Sequence, residues 1–457
     1  MRKLWLALCL SAWGSCLPVF GQVGSTEKDS LTITGRLVWQ ETGVTGFPEE
    51  LKITPKGASE GAFTAPVDSL GRFELSLARG QYLLQPSLYY HWMGEQWLRI
   101  NEKKAQLALD LRTSSELEVV LPLDTIGWPK MPEGPGLFTR KEAIDPATVD
   151  AFIQTRMAFF KIPGVSLCLI QEGEIVYCQT YGSVRMGDSR KVTEQSLFEA
   201  GSITKLVFAF AAMRLYEKGL LDLDKPLVDY QPHPEIDDER YKTMTARHVL
   251  SHQSGMANWP RKDEAGKFKL KFAPGTQYGY SGKAYEYLKE VLVGITGKSI
   301  NRILEEEVLT PLGLTDMHFR GDAAIEQYGV HGHKKGVPTE VYLAPRPMVA
   351  YTLQTTHQAL AAFTLALMQH KGLKPATYEE MFRPHSQRAD GTRWGLGVRI
   401  EETPVGLSYG HSGSTGRGFI SNLVYYPDLE AGYVILTNSQ MGGWLSLPLL
   451  GAWLVGE

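Results

Sequence analysis

The chain lacks an excess of charge of either sign. Its 457 residues include 47 basic and 50 acidic side chains, which leaves a net charge of −3. Proteins that bind nucleic acid or anionic lipid surfaces usually carry a marked basic excess. We therefore expect no nucleic-acid partner, and a small molecule or a peptide is the expected substrate.

Long apolar runs are also missing. The most apolar stretch near the start, Leu4 to Trp13, is shorter than the roughly 20 residues that a bilayer-spanning helix needs. No later run reaches that length, so the sequence predicts no transmembrane segment. Arg2 and Lys3 precede the stretch, and small residues lie ahead of Gln22, which is the pattern of a secretory signal peptide.

We expect residues 1–21 to be removed on export, which predicts a periplasmic or extracellular protein. Lipid attachment at Cys16 is the less favoured alternative, because Trp13 stands where a lipid-attachment motif usually has leucine.

Cysteine is scarce, since only four are present and two of them lie before residue 22. Cys168 and Cys178 remain, on two predicted strands joined by a turn at Glu172-Gly173. A two-residue turn there pairs Cys168 with Tyr177 and puts the two sulfurs on opposite faces. We expect two free, mostly buried thiols, because a disulfide would need a different register.

The length predicts two or three domains, and the first of them is all strand. Between residues 30 and 123, apolar and polar residues alternate in short segments such as 73–77 and 107–111, separated by turn signals. This spacing predicts a β-sandwich. The run from Asp68 to Leu84 resembles carboxypeptidase regulatory-like domains.

Residues 124–138 are rich in glycine and proline and are interpreted as a linker. Residues 139–457 then mix strands and helices, with strands at both ends of the segment. This order predicts an α/β domain, in which an antiparallel sheet formed by both ends carries helices on its faces. The predicted strands are 164–170, 174–180, 395–400, 406–411, 419–426 and 432–438. The predicted helices are one that starts at Pro146 after the cap Asp145, 202–218, 284–296, 299–309 (stopped by Pro311) and one starting at Thr355.

The helix predicted from Ser202 to Lys218 is apolar on all sides from Leu206 to Met213, as in a helix buried in a large core. Ser202 lies at its first turn, close to free backbone N–H groups and to the positive end of the helix dipole. Lys205 follows three residues later on the same face, so the pair can form an activated nucleophile. Alone, the S-x-x-K spacing is also compatible with an ordinary helix cap.

Two further motifs follow in order. Tyr280-Ser281-Gly282 lies in a loop before a predicted helix, and His411-Ser412-Gly413 lies on a strand of the predicted closing sheet. The G-x-S-x-G motif of α/β-hydrolases is absent. Together with Ser202 and Lys205, these motifs resemble the serine β-lactamase and penicillin-binding protein superfamily, particularly its branch of class C β-lactamases, D-alanyl-D-alanine peptidases and esterases. The resemblance covers about residues 146–445.

The resemblance implies a role for each motif residue. Ser202 is the expected acylated nucleophile, Lys205 takes or relays its proton, and Tyr280 is a second acid and base. The backbone N–H groups of Ser202 and Ser414 form the expected oxyanion hole, and Gly413 lets the strand approach a ligand. His411 replaces the lysine of K-T-G, and we expect it to make the local charge sensitive to pH near neutrality. No cofactor or metal is implied.

Gly282 departs from the family pattern, which usually has Y-x-N. Because the asparagine normally contacts the substrate's amide, its loss favours a peptidase or esterase acting on D-amino-acid peptides or small esters. A true β-lactamase is the second reading, and a non-catalytic penicillin-binding-like receptor is the third.

Two weaker candidates complete the sequence-based predictions. Arg417 could pair bidentately with a substrate carboxylate, although most loop arginines are simply surface residues. His331-Gly332-His333 could bind a metal, but no acidic or cysteine residue adjoins it, so no metal site is predicted.

Overall fold

The computed structural model describes residues 144–388, 391–403, 406–443 and 445, together with ten strands between residues 30 and 126. The chain divides into two compact units, Met1–Glu133 and Gly134–Glu457. The predicted signal peptide, residues 1–21, lies outside the described residues.

The described elements of the first unit are all strands, as the alternating pattern predicts. They form three sheets with the strand orders β4-β1-β9, β10-β7-β6 and β3-β2-β5-β8. The packing of these sheets into a sandwich stays a prediction. The strands are β1 Ser30–Trp39, β2 Glu50–Pro55, β3 Phe63–Pro66, β4 Arg72–Ala78, β5 Gly80–Pro86, β6 Tyr90–Met93, β7 Gln96–Ile100, β8 Leu107–Leu111, β9 Glu116–Leu121 and β10 Leu123–Ile126.

The second unit is an α/β domain built on an eight-stranded antiparallel sheet with the order β12-β11-β23-β22-β21-β20-β19-β18. Its strands are β11 Gly164–Gln171, β12 Glu174–Gly182, β18 Ser386–Gln387, β19 Arg393–Trp394, β20 Arg399–Thr403, β21 Gly406–Thr415, β22 Phe419–Tyr426 and β23 Ala431–Thr437. Because β11 pairs with β23, the two ends of the domain close the sheet, which confirms the prediction.

Short strands form two smaller sheets, and helices cover the rest of the domain. The short strands are β13 Phe198–Glu199, β14 Met317–His318, β15 His333–Lys334, β16 Val337–Pro338 and β17 Gln354–Thr355. The helices are α1 Pro146–Phe160, α2 Ile203–Glu217, α3 Ala246–Leu250, α4 Gly282–Thr296, α5 Ile300–Leu304, α6 Thr310–Leu312, α7 Ala323–Tyr328, α8 His357–Met368 and α9 Pro375–Phe382. Among the described residues, none of the helices is long and apolar enough to cross a membrane.

Helix α2 lies at the centre of the core. Every residue from Ile203 to Met213 is buried, as its all-round apolar sequence predicts. The helix packs against β21 and β22 on one side and against α5 and α9 on the other. Gly219 follows its C-terminus in the left-handed region, with φ of 70°. Since the sheet and the helices hold α2 from both sides, the residues at its N-terminus are fixed in position.

Several predicted boundaries differ from the structure. Helix α8 is capped by Thr356, whose side chain accepts a hydrogen bond from the backbone N–H of Ala359, and not by Thr355. The helix predicted to stop before Pro311 continues through a π-helical turn, Glu305–Leu309, into α6, where Pro311 lies in the first turn and its missing N–H is not needed. Of the predicted strand 395–400, only Arg399 and Ile400 belong to a strand, which is the start of β20.

The prediction of two free thiols is wrong, because a disulfide joins Cys168 to Cys178. The register of β11 and β12 is irregular between Leu169 and Ile170, where Val176 is an extra residue on the second strand. This β-bulge shifts the pairing by one residue, so the two cysteines lie directly opposite each other. The turn alone could not indicate the bulge.

Candidate active site

Ser202 and Lys205 meet at the start of α2. Ser202 is the N-cap residue, and its side chain makes no capping hydrogen bond to the helix. Its hydroxyl instead accepts a hydrogen bond from Lys205 Nζ at 3.2 Å. The spacing of three residues on the first turn produces this contact, as the sequence predicts.

Lys205 is almost fully enclosed, with 2% of its surface exposed. Its Nζ also donates to the carbonyl of Ala350 at 2.6 Å and lies 4.9 Å from the centre of the Tyr280 ring and 5.9 Å from that of Tyr285. Among the described residues, no carboxylate oxygen lies within 4 Å of this ammonium group. A backbone carbonyl and two aromatic faces therefore surround it.

Strand β21 runs unusually close to the loop that precedes Ser202. A Cβ atom on Gly413 would lie 1.9 Å from the carbonyl oxygen of Ala200, and one on Gly201 would lie 3.0 Å from the backbone nitrogen of Ser414. Only glycine permits this approach at residue 413. The N–H of Ser202, at the first turn of α2, and the backbone of Ser414 therefore lie on adjoining segments, as an oxyanion hole requires.

Tyr280 rests on an aromatic platform that includes a buried histidine. Its ring centre lies 4.2 Å from that of His252, 6.0 Å from that of Trp394 and 6.5 Å from that of His411. His252 Nδ1 accepts a hydrogen bond from the backbone N–H of Ser281 at 3.3 Å. The structure thus brings Tyr280 and His411 together with Lys205 around Ser202.

His411 is buried, and burial makes the expectation of a charge change near neutral pH wrong. Its Nδ1 donates to the carbonyl of Ser412 at 2.7 Å, whereas its Nε2 is buried without a partner. Loss of solvent and the nearby Lys205 ammonium lower the pKa of His411 to about 3. The ring is therefore neutral at physiological pH, unlike the lysine that it replaces.

We predict that thermal stability falls as the pH decreases from about 6.5 towards 4. Burial lowers the pKa of His411 to about 3, and those of His233 and His357 to about 4. Below pH 6.5 the unfolded chain binds these protons and the folded one does not, so acid favours unfolding. At pH 5 each of these three histidines should lower the free energy of unfolding by on the order of 2 kcal/mol.

The melting temperature at pH 7.5 and at pH 5.0 measures this effect. The His357→Leu variant should show a smaller decrease, because both ring nitrogens of His357 are buried without partners and their loss breaks no hydrogen bond. Equal melting temperatures of the parent at the two pH values would contradict the prediction.

Gly282 stands where the family usually has an asparagine, and Asn258 from another segment contacts it. The backbone N–H of Gly282 donates to Asn258 Oδ1 at 2.7 Å. A Cβ atom at residue 282 would lie 3.1 Å from that oxygen and 3.2 Å from both Ala350 Cβ and Trp259 Cζ2. These contacts are tighter than most side chains tolerate, so glycine at this position is part of the local packing.

Arg417 does pair bidentately with a carboxylate, but its partner is in the chain itself. Its Nε and one terminal nitrogen donate to the two oxygens of Glu199 at 2.7 and 2.6 Å. The guanidinium also lies 3.7 Å from the centre of the Tyr342 ring. Because Glu199 is only 3% exposed, its charge needs this partner. A substrate-binding role of Arg417 stays a prediction.

His331 and His333 both make hydrogen bonds within the fold. His331 Nδ1 contacts the carbonyl of Thr339, and His333 contacts the carbonyl of Asn438 and the backbone N–H of Met186. In the described ranges, one other group of three possible metal ligands occurs, formed by Cys168, Cys178 and His357. Its two sulfurs are bonded to each other and do not offer thiolates.

Several residues of the site were missed from the sequence. His252 and Trp394 form the platform under Tyr280, and Ala350 and Glu286 lie behind Lys205. His252 lies just after α3 and outside the predicted motifs. Glu286 follows Gly282 by four residues on α4, whereas Ala350 and Trp394 lie far from any motif and carry no local signal.

Comparison with known proteins identifies the family. The beta-lactamase family model matches residues 149–445, which include Ser202, Lys205, Tyr280 and His411. Esterase EstB of Burkholderia gladioli is 26% identical over 270 residues, which cover 53% of this chain and 68% of that protein. The beta-lactamase of Pseudomonas fluorescens is 25% identical over 334 residues, which cover 64% and 92%.

The D-alanyl-D-alanine-carboxypeptidase/endopeptidase AmpH of Escherichia coli (strain K12) is 27% identical over 171 residues, which cover 34% of this chain and 44% of AmpH. This chain therefore spans less than half of the length of AmpH. The octameric penicillin-binding protein homologue from Pyrococcus abyssi shares the fold, with a TM-score of 0.58 at 23% identity over 67% of this chain and 77% of that one. The match to the family model over most of the chain shows that this protein belongs to the beta-lactamase family of serine hydrolases.

Proposed function

We propose that this protein is an exported hydrolase that forms an acyl-enzyme on Ser202 and acts on small esters that carry no carboxylate near the scissile bond. The observation that carries the proposal is the 3.2 Å contact between Lys205 Nζ and Ser202 Oγ at the N-terminus of a buried helix. A serine hydroxyl held by a lysine in this way is a suitable nucleophile. The intact Ser202, Lys205 and Tyr280 set argues against a non-catalytic receptor.

The reaction proceeds in two steps. The step uses the neutral amine form of Lys205. Ser202 Oγ attacks the carbonyl carbon while its proton passes to this amine, which becomes an ammonium, and the backbone N–H groups of Ser202 and Ser414 stabilise the oxyanion. The tetrahedral species releases the alcohol, which takes up a proton relayed through Lys205 and Tyr280. Water then attacks the acyl-enzyme, and the acid leaves as Ser202 regains its proton.

The charges around the site favour neutral esters over β-lactams and C-terminal peptides, both of which carry a carboxylate. His411 is neutral where the family often has a lysine, because burial lowers its pKa to about 3. Arg417 is held by Glu199, and Arg399 donates to Ser412 Oγ and pairs with Glu401. Both arginines are therefore engaged by groups of the chain itself. Peptidase and β-lactamase activities remain the alternatives, and EstB is an example of an esterase among the relatives.

Export is part of the proposal. It rests on the signal-peptide pattern of residues 1–21, and the disulfide between Cys168 and Cys178 supports it, because disulfides persist mainly in oxidising compartments.

A matched pair of butyrate esters tests the substrate preference. One has 3-hydroxybenzoate as its leaving group, and the other has the methyl ester of 3-hydroxybenzoate, which removes the charge. We expect kcat/KM to be at least about tenfold higher for the uncharged substrate, a difference of about 1.4 kcal/mol. The His411→Lys variant should reduce this preference by adding a cation. A parent enzyme that prefers the carboxylate substrate would favour the peptidase or β-lactamase alternative.

A further inference from the structure

The peptide unit of Ala350 is held on both sides. Its carbonyl accepts a hydrogen bond from Lys205 Nζ at 2.6 Å, and its N–H donates to Glu286 Oε1 at 2.9 Å. Ala350 is fully buried, and Glu286 is 4% exposed. A single residue therefore links the lysine beside Ser202 to a buried carboxylate on α4.

Glu286 is fixed in turn by the next turn of its own helix. Lys289 Nζ donates to Glu286 Oε2 at 2.7 Å, and the Lys289 side chain is only 15% exposed. Both carboxylate oxygens are thus used, one by Ala350 and the other by Lys289. A buried carboxylate is stable only when it is paired with a charge and hydrogen-bonded. Here the ion pair with Lys289 also fixes the rotamer of Glu286 that reaches Ala350.

Lys205 depends on the orientation of this peptide. The described residues offer it no carboxylate partner, and the Ala350 carbonyl is its shortest contact. If the Ala350 peptide turned, the ammonium group would lose that acceptor and its place 3.2 Å from Ser202 Oγ. We propose that Glu286, held by Lys289, is a positioning residue that orients the Ala350 peptide and so keeps Lys205 at Ser202. This inference rests on the proposed function of Ser202.

The Glu286→Ala and Glu286→Gln variants test the proposal, with Glu290→Gln as the matched control. Glu290 lies one turn further along α4 and lines the same cavity of about 250 Å³ as Glu286 and Lys289. The hydrogen bond to the Ala350 N–H belongs to Glu286. Activity is measured per Ser202 titrated with a fluorophosphonate, so that misfolded protein does not contribute.

We expect Glu286→Ala to lower kcat by about 10- to 100-fold with KM within about threefold, because a displaced proton-transfer group slows chemistry more than binding. Glu286→Gln should recover part of that loss, since its amide oxygen can still accept from the Ala350 N–H although its NH2 group cannot accept from Lys289. Glu290→Gln should match the parent. A merely structural role would lower the yield of titratable enzyme and leave kcat per titrated site unchanged, which would overturn the proposal.

A crystal structure of Glu286→Ala provides a readout that does not depend on activity. We expect the distance from Lys205 Nζ to the Ala350 oxygen to increase beyond 3.5 Å. An unchanged distance would overturn the positioning role even if the parent hydrolysed no ester. Conversely, absence of a fluorophosphonate adduct on the parent would refute the proposed function while leaving the structural test intact.

Discussion

Replacing Lys205 with methionine should lower kcat/KM for a neutral ester by about 10³-fold, within the 10²- to 10⁴-fold range of a lost acid–base group. Methionine has a similar length and suits a position that is 2% exposed, so the fold should be retained. The variant loses the donor to Ser202 Oγ and the donor to the Ala350 carbonyl. The rate is measured with p-nitrophenyl butyrate.

Lys218→Met is the control for this substitution. Lys218 caps the opposite end of the same helix and pairs with Glu307, with a side chain that is 46% exposed. We expect its kcat/KM to stay within about twofold of the parent, since Lys218 lies at the far end of α2 from Ser202 and Arg214 still pairs with the buried Glu307. A Lys205→Met enzyme that kept more than about a tenth of the parental activity would contradict the role of Lys205.

The Gly413→Ala substitution should lower kcat/KM by at least about 10²-fold, although it adds a single methyl group. A Cβ atom there would lie 1.9 Å from the Ala200 oxygen and 2.3 Å from Ser421 Oγ. Neither contact is tolerable, so β21 must move away from the segment before Ser202. The Ser414 N–H then shifts from the position at which an oxyanion would be stabilised. Overpacking should also cost about 1–3 kcal/mol of stability.

Gly416→Ala provides a matched comparison on the same segment. Nothing lies within 4 Å of a Cβ atom at residue 416, and its φ is not in the left-handed region. We expect parental activity and an unchanged melting temperature for this variant. Equal activity of Gly413→Ala and Gly416→Ala would show that the close approach of β21 is not needed.

The sequence predicted those parts of the structure that depend on local patterns. The hydrophobic pattern of the sequence predicts the buried helix α2 and the strands at both ends of the domain. Helix geometry predicts that Ser202 and Lys205 lie on the same face of α2. The grouping of Ser202, Tyr280 and His411 could be anticipated only from the order of the motifs, since they are separated by more than 70 residues. In the structure their contacts depend on tertiary packing.

Two features of the site could not be predicted because they depend on tertiary packing. The burial that keeps His411 neutral and the carboxylate of Glu199 that pairs with Arg417 both involve residues distant in the sequence. The bulge at Val176 that aligns the two cysteines is a local irregularity that the turn residues do not indicate. The local sequence shows which charges and hydrogen bonds a residue can offer, but not which residues surround it in the fold. The same limit hid Glu286, whose contact with Ala350 spans 64 residues.

The central claim is that Ser202 is the nucleophile that carries the acyl group. Intact-mass analysis of the purified protein, incubated with a fluorophosphonate, tests it most directly. We predict one covalent adduct on the parent, located at Ser202 by peptide mapping, and none on Ser202→Ala. An adduct that persists on Ser202→Ala, or a parent that stays unmodified, would contradict the claim.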